Sequence, residues 1–109
     1  MNFTEQKLTG KASIDKPWLN FYPEQFRNIE IPRMTIEAFL KMKNPNEDKI
    51  AFEYYGNKIT WKQLWEEVDA AARALKALGL NEGDRVPSFL VCTPAHFILL
   101  LAAERVGLT

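Results

Sequence analysis

A strand-like apolar run that leads into a capped helix is the feature that most constrains the fold of this sequence. The run covers residues 85–92, and the helix begins at Thr93 and ends at Gly107. A strand followed by a helix is the first half of a βαβ unit, whose second half is a parallel strand reached by a right-handed crossover. Only Leu108 and Thr109 follow the helix. We therefore expect an α/β fold with an unfinished sheet, as in the opening piece of a larger protein.

The clearest periodicity predicts a long amphipathic helix over residues 61–78. Thr60 and Gln63 fit a capping box at its start, and Gly79 fits the residue just past its end. A three–four spacing places the apolar residues on one helical face. These residues stand at positions 61, 64, 65, 68, 71, 72, 75 and 78. We expect this face to anchor the core.

A β-hairpin is predicted immediately before this helix. Residues 50–55 read as a strand, and Gly56 and Asn57 form a two-residue turn signal. Residues 58–60 then return as a short second strand. The pattern of side chains places Ile50, Phe52 and Tyr54 on one face of the first strand.

A shorter helix is predicted upstream of the hairpin. Thr35 is a good N-cap for it, and Asn44 and Pro45 are expected to end it. Its buried stripe is predicted to consist of Ile36, Phe39 and Leu40.

The composition changes along the N-terminal part of the chain. Residues 1–15 are polar and aperiodic, which predicts a mobile leader. Residues 16–33 carry three prolines and four aromatic residues without a clean period, which predicts an extended arm pinned by its large side chains. The predicted division is therefore a leader and arm over 1–33, followed by an incomplete α/β domain over 34–109.

The composition and net charge of the chain exclude several classes of protein. The chain is 47% hydrophobic and 26% charged, which is typical of a globular domain. Its 14 basic and 14 acidic residues cancel, so no electrostatic argument favours nucleic acid. The single cysteine fits a reducing compartment, and no apolar run is long enough to span a bilayer. A cytoplasmic protein without a membrane span is expected.

Each residue that could carry chemistry also has a simpler structural role. The glycines at 10, 56, 79, 83 and 107 form no phosphate-binding motif. The helix start at Thr93 could hold an anion, but simple capping is favoured because Pro94 removes one donor. His96 is the only histidine, which favours a partly buried helix residue over a metal ligand. Cys92 lacks an evident base, which favours an inert buried thiol over a nucleophile.

Two further groups of residues also have simple structural roles. The acidic cluster of Glu66, Glu67 and Asp69 lies on the polar face of the long helix, where solvation is the simplest role. Trp61 and Trp65 are one helical turn apart, which favours core packing over a platform for stacking nucleobases. No catalytic, cofactor-binding or metal-binding residue is predicted within these 109 residues.

The ordered set of elements resembles the start of the adenylate-forming enzymes, the AMP-forming acyl-CoA synthetases and their relatives. The resemblance is carried by the runs at 56–64, 78–80, 82–86, 93–94 and 101–107. The arm at 16–22 and 31–35 also resembles the segment that precedes this domain in acyl-CoA synthetases. The sequence departs from the family pattern at three positions. Ala95 stands where members commonly have an acidic residue, and the residue just before the helix that starts at Thr93 is not the Asn that is common there. Pro87 within the predicted strand is also unusual for the family.

The resemblance implies a parent enzyme that activates a carboxylic or fatty acid. ATP and the carboxylate would give an acyl-adenylate with Mg²⁺, and CoA would then take the acyl group. The family's phosphate loop, its ribose-binding acidic residue and its catalytic lysine lie beyond residue 109, so no functional residue is carried over. We expect the fragment to be inactive alone and its main partner to be the rest of the parent enzyme.

A rival interpretation comes from a different class of protein. A free-standing α/β module could assemble through its apolar helix and its open sheet edge. Residues 99–106 would otherwise face water, so self-association of the fragment is also expected. A reading frame that continues past Thr109 into a Ser/Thr/Gly-rich loop would favour the ligase.

Overall fold

The structure, a computed structural model, describes residues 8–109. The part of the predicted leader over residues 1–7 lies outside the described residues. The chain divides into two compact units, Met1–Arg33 and Met34–Thr109. Within residues 8–109, no helix is both long enough and apolar enough to cross a bilayer.

The first unit contains a short helix within the predicted leader, over 1–15, and two helical turns within the predicted extended arm, over 16–33. Helix α1 covers Ala12–Asp15, and 3₁₀ turns cover Pro17–Phe21 and Glu24–Phe26. The prediction of an extended conformation is therefore wrong over 17–21 and 24–26. Pro17 provides the physical reason, because its fixed φ suits the first position of a helical turn as well as an extended chain. The aromatic side chains Trp18, Phe21, Tyr22 and Phe26 are exposed.

A local hydrogen-bond cluster organises the start of the described chain. The Asp15 carboxylate accepts hydrogen bonds from the backbone N–H groups of Thr9 and Gly10 and from the Thr9 hydroxyl. The hydroxyl bond, followed by the backbone bonds, holds the pKa of Asp15 below its ordinary value. This cluster closes a small loop just ahead of α1.

The second unit begins with helix α2, Ile36–Lys43. The Thr35 side chain accepts a hydrogen bond from the backbone N–H of Ala38, so the predicted N-cap is confirmed. The predicted buried stripe is only partly correct. Leu40 packs against the core, whereas Ile36 and Phe39 keep 54% and 37% of their surface exposed. The core supplies too little surface to cover the whole face of this helix.

The hairpin is confirmed, although its turn lies one residue earlier than predicted. Strand β1, Ile50–Tyr54, pairs antiparallel with β2, Asn57–Thr60. Tyr55 and Gly56 form the turn, with φ of 48° and 80°. A two-residue type I′ turn requires positive φ at both central positions, which matches the right-handed twist of the strands. A register shift between Ile50 and Phe52 marks an irregularity in the ladder, so strict alternation along β1 fails.

Helix α3, Trp61–Ala77, follows β2 without a linker and supplies most of the core. The Thr60 and Gln63 capping box is present in both directions, as predicted. All but one of the predicted apolar positions are buried or partly buried, and the exception is Leu78 at 79% exposure. The buried part of this face therefore ends with Leu75.

Helix α4, Pro94–Val106, packs against α3 and closes the core. Leu101, Ala102 and Val106 of α4 meet the buried face of α3. The core consists of Leu64, Trp65, Val68, Ala72, Leu75, Leu101, Ala102 and Val106. The rings of Phe52 and Phe97 meet edge to face at 5.0 Å between centroids, which joins the hairpin to α4. The expected α/β arrangement of a hairpin and helices is thus confirmed.

The segment over residues 85–92 is not a regular strand, and that part of the prediction is wrong. It has no assigned secondary structure, and Phe89, Leu90 and Val91 are exposed by 93%, 50% and 77%. A strand needs a hydrogen-bonded neighbour, and the segment has almost none within the described residues. The exception is Thr109, whose N–H donates to the carbonyl of Asp84 and whose carbonyl accepts from the N–H of Val86.

Candidate functional site

A charged cluster joins the three helices of the second unit. The Arg105 guanidinium on α4 donates from Nε to Glu37 Oε2 at 2.9 Å and from Nη2 to Glu37 Oε1 at 2.6 Å. Its Nη1 also donates to Asp69 Oδ1 on α3 at 3.3 Å. Lys41 Nζ donates to Glu37 Oε1 at 2.7 Å. One arginine therefore connects α2 and α3 to α4.

The cluster shifts the proton affinity of its members. The hydrogen bonds from Arg105 are the main cause that holds the pKa of Glu37 below its ordinary value, although burial opposes the shift. The same hydrogen bond raises the pKa of Arg105. Glu37 thus remains a carboxylate over an extended acidic range. The arrangement stabilises one charged state of each group, as expected for a structural ion pair.

Glu104 provides a second link between α4 and α2. Its Oε1 accepts from the backbone N–H of Ile36 at 2.8 Å, and its Oε2 accepts from that of Glu37 at 3.1 Å. These N–H groups belong to the first turn of α2 and have no partner within the helix. A carboxylate at this end also interacts favourably with the helix dipole. The Glu104 side chain of α4 therefore caps the start of α2.

Sequence reasoning did not find these interhelical contacts. Asp69 was interpreted as part of a solvated acidic cluster, yet it contacts both Arg105 and Arg73, whereas Glu66 and Glu67 are exposed. Glu37 and Arg105 are 68 residues apart, so no local spacing connects them. The run of Glu104 and Arg105 at the end of an apolar helix was the only available signal.

The start of α4 forms one wall of an apolar cleft. The Thr93 hydroxyl accepts from the backbone N–H of His96 at 3.4 Å, so Thr93 acts as a cap, as favoured from the sequence. The cleft has a volume of about 290 Å³. Its lining residues are Phe52, Glu53, Tyr54, Cys92, Thr93, Pro94, His96, Phe97 and Leu100. Hydrophobic side chains dominate this surface.

The residues around this cleft do not fit a nucleotide phosphate group. A phosphate site at a helix start needs free backbone N–H groups that a ligand can approach. Pro94 has no N–H, and the N–H of His96 already faces the Thr93 hydroxyl. Among residues 8–109, no lysine or arginine lines the cleft. We therefore assign no step of adenylate chemistry to this part of the structure.

The remaining candidates have these positions. His96 is partly buried, in agreement with the prediction, but Cys92 is exposed, so the prediction of a buried thiol is wrong. Among residues 8–109, no cluster of three or more metal-ligating side chains occurs. Trp65 is 8% exposed and stacks on Trp61 at 5.7 Å, which confirms core packing. Lys41 Nζ lies 4.9 Å from the centroid of the Trp65 ring.

A second groove runs between α4 and the segment that precedes it. Its volume is about 340 Å³, and it is lined mainly by apolar side chains. Val86 and Ser88 contribute from the segment, Leu99 and Ala103 from α4, and Leu108 from the residues after α4. Thr109 borders the same groove.

Curated relatives of the chain are synthetases that make acyl-CoA. Acetyl-coenzyme A synthetase 1 of Candida albicans is 36% identical over 126 aligned residues, which cover 96% of this chain and 18% of the relative. The acetyl-coenzyme A synthetase of Dictyostelium discoideum is 34% identical over 96% of this chain and 16% of its own length. A long-chain-fatty-acid–CoA ligase of Bacillus subtilis is 32% identical over 76% of this chain and 15% of its own length.

These matches identify the family and show that the chain covers only a small part of each relative. The chain spans between 8% and 18% of the length of the curated relatives that it matches. No solved structure matches the chain significantly. The model of the family described as AMP-binding enzyme matches residues 40–109, which include α3, α4 and the hairpin. The chain therefore belongs to the AMP-binding enzyme family.

Proposed function

We propose that this chain forms the N-terminal part of an ATP-dependent, AMP-forming carboxylate–CoA ligase. The observation that carries the proposal is the match to acetyl-coenzyme A synthetases over 96% of the chain, together with the family match over 40–109. The ligase would convert a carboxylate and ATP into an acyl-adenylate, with Mg²⁺ on the phosphates, and would then pass the acyl group to CoA. A single cysteine supports a reducing compartment such as the cytoplasm.

The role of this part would be structural support rather than chemistry. The described residues offer a packed helix pair, a charged cluster and two apolar surfaces, without a phosphate cradle. We infer that the fragment is inactive alone and that the remainder of the ligase supplies the ATP site and the acyl pocket. The substrate proposed is a carboxylic acid, with acetate as the first to test and a long-chain fatty acid as the second.

A chimera tests the proposal directly. This chain would replace the matched segment of the Candida albicans synthetase, and acetate-dependent exchange of pyrophosphate into ATP would be measured. We expect exchange by the chimera and none by the 109-residue chain alone. Leu64→Asp, at a fully buried position, should abolish exchange, and Leu78→Asp, at an exposed position, should not.

Two results would contradict the proposal. One is a chimera that is folded by circular dichroism and yet lacks exchange with both acetate and a long-chain fatty acid. The other is exchange by the purified chain alone, which would place chemistry within residues that lack a phosphate site. Formation of acyl-CoA by the active chimera would test the second half of the reaction.

A second candidate function is an interaction module that assembles with other chains. The specific observation in its favour is the exposure of Phe89, Val91 and Leu100, which leave 93%, 77% and 53% of their surface in solvent. A natural protein that consists of these elements alone, and that forms stable assemblies, would favour this function over the ligase.

A further inference from the structure

We propose that helix α2 opens as a separate unit from the packed pair of α3 and α4, under the control of a charged latch on α4. The latch consists of Glu104 and Arg105. When it releases, α2 leaves the rest of the second unit, while α3 and α4 stay packed. This equilibrium involves contacts within the second unit alone and does not depend on the proposed ligase activity.

The apolar contribution to the position of α2 is small. Every residue of α2 is exposed except Glu37 and Leu40, which are half-buried. Every buried core residue belongs to α3 or α4 instead. Leu40 packs against that core from α2. Because hydrophobic stabilisation grows with the apolar area removed from water, it is much smaller for docking α2 than for packing α3 against α4.

Polar contacts from the last turn of α4 hold α2 in place. Glu104 accepts from the backbone N–H groups of Ile36 and Glu37. Arg105 donates to both carboxylate oxygens of Glu37. These hydrogen bonds all come from two adjacent side chains, and each involves at least one charged group. Charge-assisted hydrogen bonds are stronger and more directional than neutral ones, so the latch supplies the directional part of the contact.

On the side of α3, α2 lies against Trp65. Lys41 Nζ is 4.9 Å from the centroid of the Trp65 ring. The Trp65 side chain is buried, and its Nε1–H has no acceptor among residues 8–109. A buried N–H without an acceptor is unfavourable. Because Lys41 lies over this ring, opening of α2 gives the indole access to water and offsets part of the contact that is lost.

The length of α2 links its docking to its helical structure. The helix has 8 residues, and isolated helices shorter than about 12–15 residues are marginal in water. Once undocked, α2 therefore loses its backbone hydrogen bonds as well. Proteins open in cooperative units, and the units with few buried apolar contacts open at the lowest free energy. Amide hydrogen exchange along α2 consequently measures the docking equilibrium.

Hydrogen exchange of the 109-residue chain at low micromolar concentration tests the inference. Two amides of α2 and its C-cap serve as reporters: Phe39, which donates to the carbonyl of Thr35, and Asn44, which donates to that of Leu40. After correction for intrinsic rates, we expect both to exchange at least about tenfold faster than the amides of the buried α3 residues. Mass spectrometry with fragmentation of overlapping peptides separates the two ends of α2.

A matched pair of substitutions tests the latch. Glu104→Gln keeps the size of the side chain but removes its charge and one acceptor oxygen. We expect it to speed exchange at both Phe39 and Asn44 by about tenfold, the usual effect of losing a helix cap, and to leave α3 unchanged. Glu67→Gln makes the same chemical change at an exposed position of α3 and should change neither helix.

Ionic strength tests the contribution of charge. Salt screens partly exposed ion pairs, so a rise from about 20 mM to about 500 mM NaCl should speed exchange in α2 about threefold and leave α3 unchanged. Arg105→Gln removes the bidentate pair with Glu37. We expect this variant to open α2 more often than the native chain does and to respond less to salt.

Three results would overturn the inference. The first is exchange of α2 and α3 with equal free energies, or equal acceleration of both by Glu104→Gln, since the second unit would then open only as a whole. The second is acceleration confined to the first turn of α2, which would make Glu104 a local cap and nothing more. The third is exchange in α2 that responds neither to salt nor to Arg105→Gln.

Discussion

Removing the charge of Glu37 should destabilise the second unit by about 2 kcal/mol at neutral pH. The Glu37 and Arg105 side chains are 16% and 28% exposed, so their pair lies between the surface and buried extremes. Exposed pairs contribute about 0.2–1 kcal/mol, and breaking a fully buried pair costs about 3–5 kcal/mol. The bidentate geometry favours the middle of this range. Glu37→Gln keeps the shape of the side chain and removes its charge.

The pH dependence gives the prediction its sign. The pKa of Glu37 is lowered in the folded chain from an ordinary value of 4.5, chiefly by its hydrogen bonds to Arg105. A lowered folded pKa contributes stability above the unfolded value and loses it as pH falls through the folded value. The difference between the native chain and Glu37→Gln should therefore be full at pH 7. It should shrink as the pH falls below 4.5.

Urea unfolding monitored by circular dichroism measures this difference at each pH. Glu53→Gln is the matched control, because Glu53 is 60% exposed and lies 3.9 Å from Lys58 in a surface pair. We expect the control to change stability by less than about 0.5 kcal/mol. Two results would refute the reasoning. One is a loss of stability below about 0.5 kcal/mol for Glu37→Gln at pH 7. The other is a stability difference between the native chain and Glu37→Gln that persists at acidic pH. A cycle with Arg105→Gln would isolate the coupling between the two side chains.

Three further changes test the core, a helix end and the exposed surface. Leu64→Ala removes a fully buried side chain and should cost about 2–5 kcal/mol in urea unfolding, whereas Leu78→Ala at 79% exposure should cost little. Gly107→Ala should lower the melting temperature, because Gly107 has a φ of +84° and the new Cβ would lie 2.8 Å from Glu82 Cγ. A non-glycine residue held at such a φ costs about 1–3 kcal/mol. We expect the native chain to self-associate in sedimentation experiments, and we expect Phe89→Ser to weaken that self-association. A native chain that sediments as a monomer at high concentration would contradict the expectation.

The features that sequence predicted well are those decided within one or two turns of chain. The Thr60 and Gln63 capping box is three residues apart, and its geometry is present in the structure. The same holds for the Thr35 cap and for the helix end at Gly107, where φ is +84°. Local side-chain and backbone bonds settle these points before tertiary packing contributes.

Features that depend on distant partners were missed or misplaced. The cap that Glu104 provides to α2 joins residues 68 positions apart, and no periodicity reveals it. The hairpin turn was misplaced by one residue because Tyr55, rather than a second Asn or Gly, adopts positive φ. The segment over 85–92 has strand composition, but composition cannot supply the neighbouring strand that regular pairing requires. No catalytic residue was predicted.

The position of α2 along the chain has a consequence for the order of folding. Its carboxylate cap, Glu104, and its main ion-pair partner, Arg105, both lie near the C-terminal end of α4. During synthesis α2 leaves the ribosome well before these residues exist, and at about 5–20 residues per second the delay lasts seconds. The turn of the hairpin and the capping box of α3 need only nearby residues, whereas burial of the apolar face of α3 also waits for α4. Helix α2 is therefore made early and held in place last.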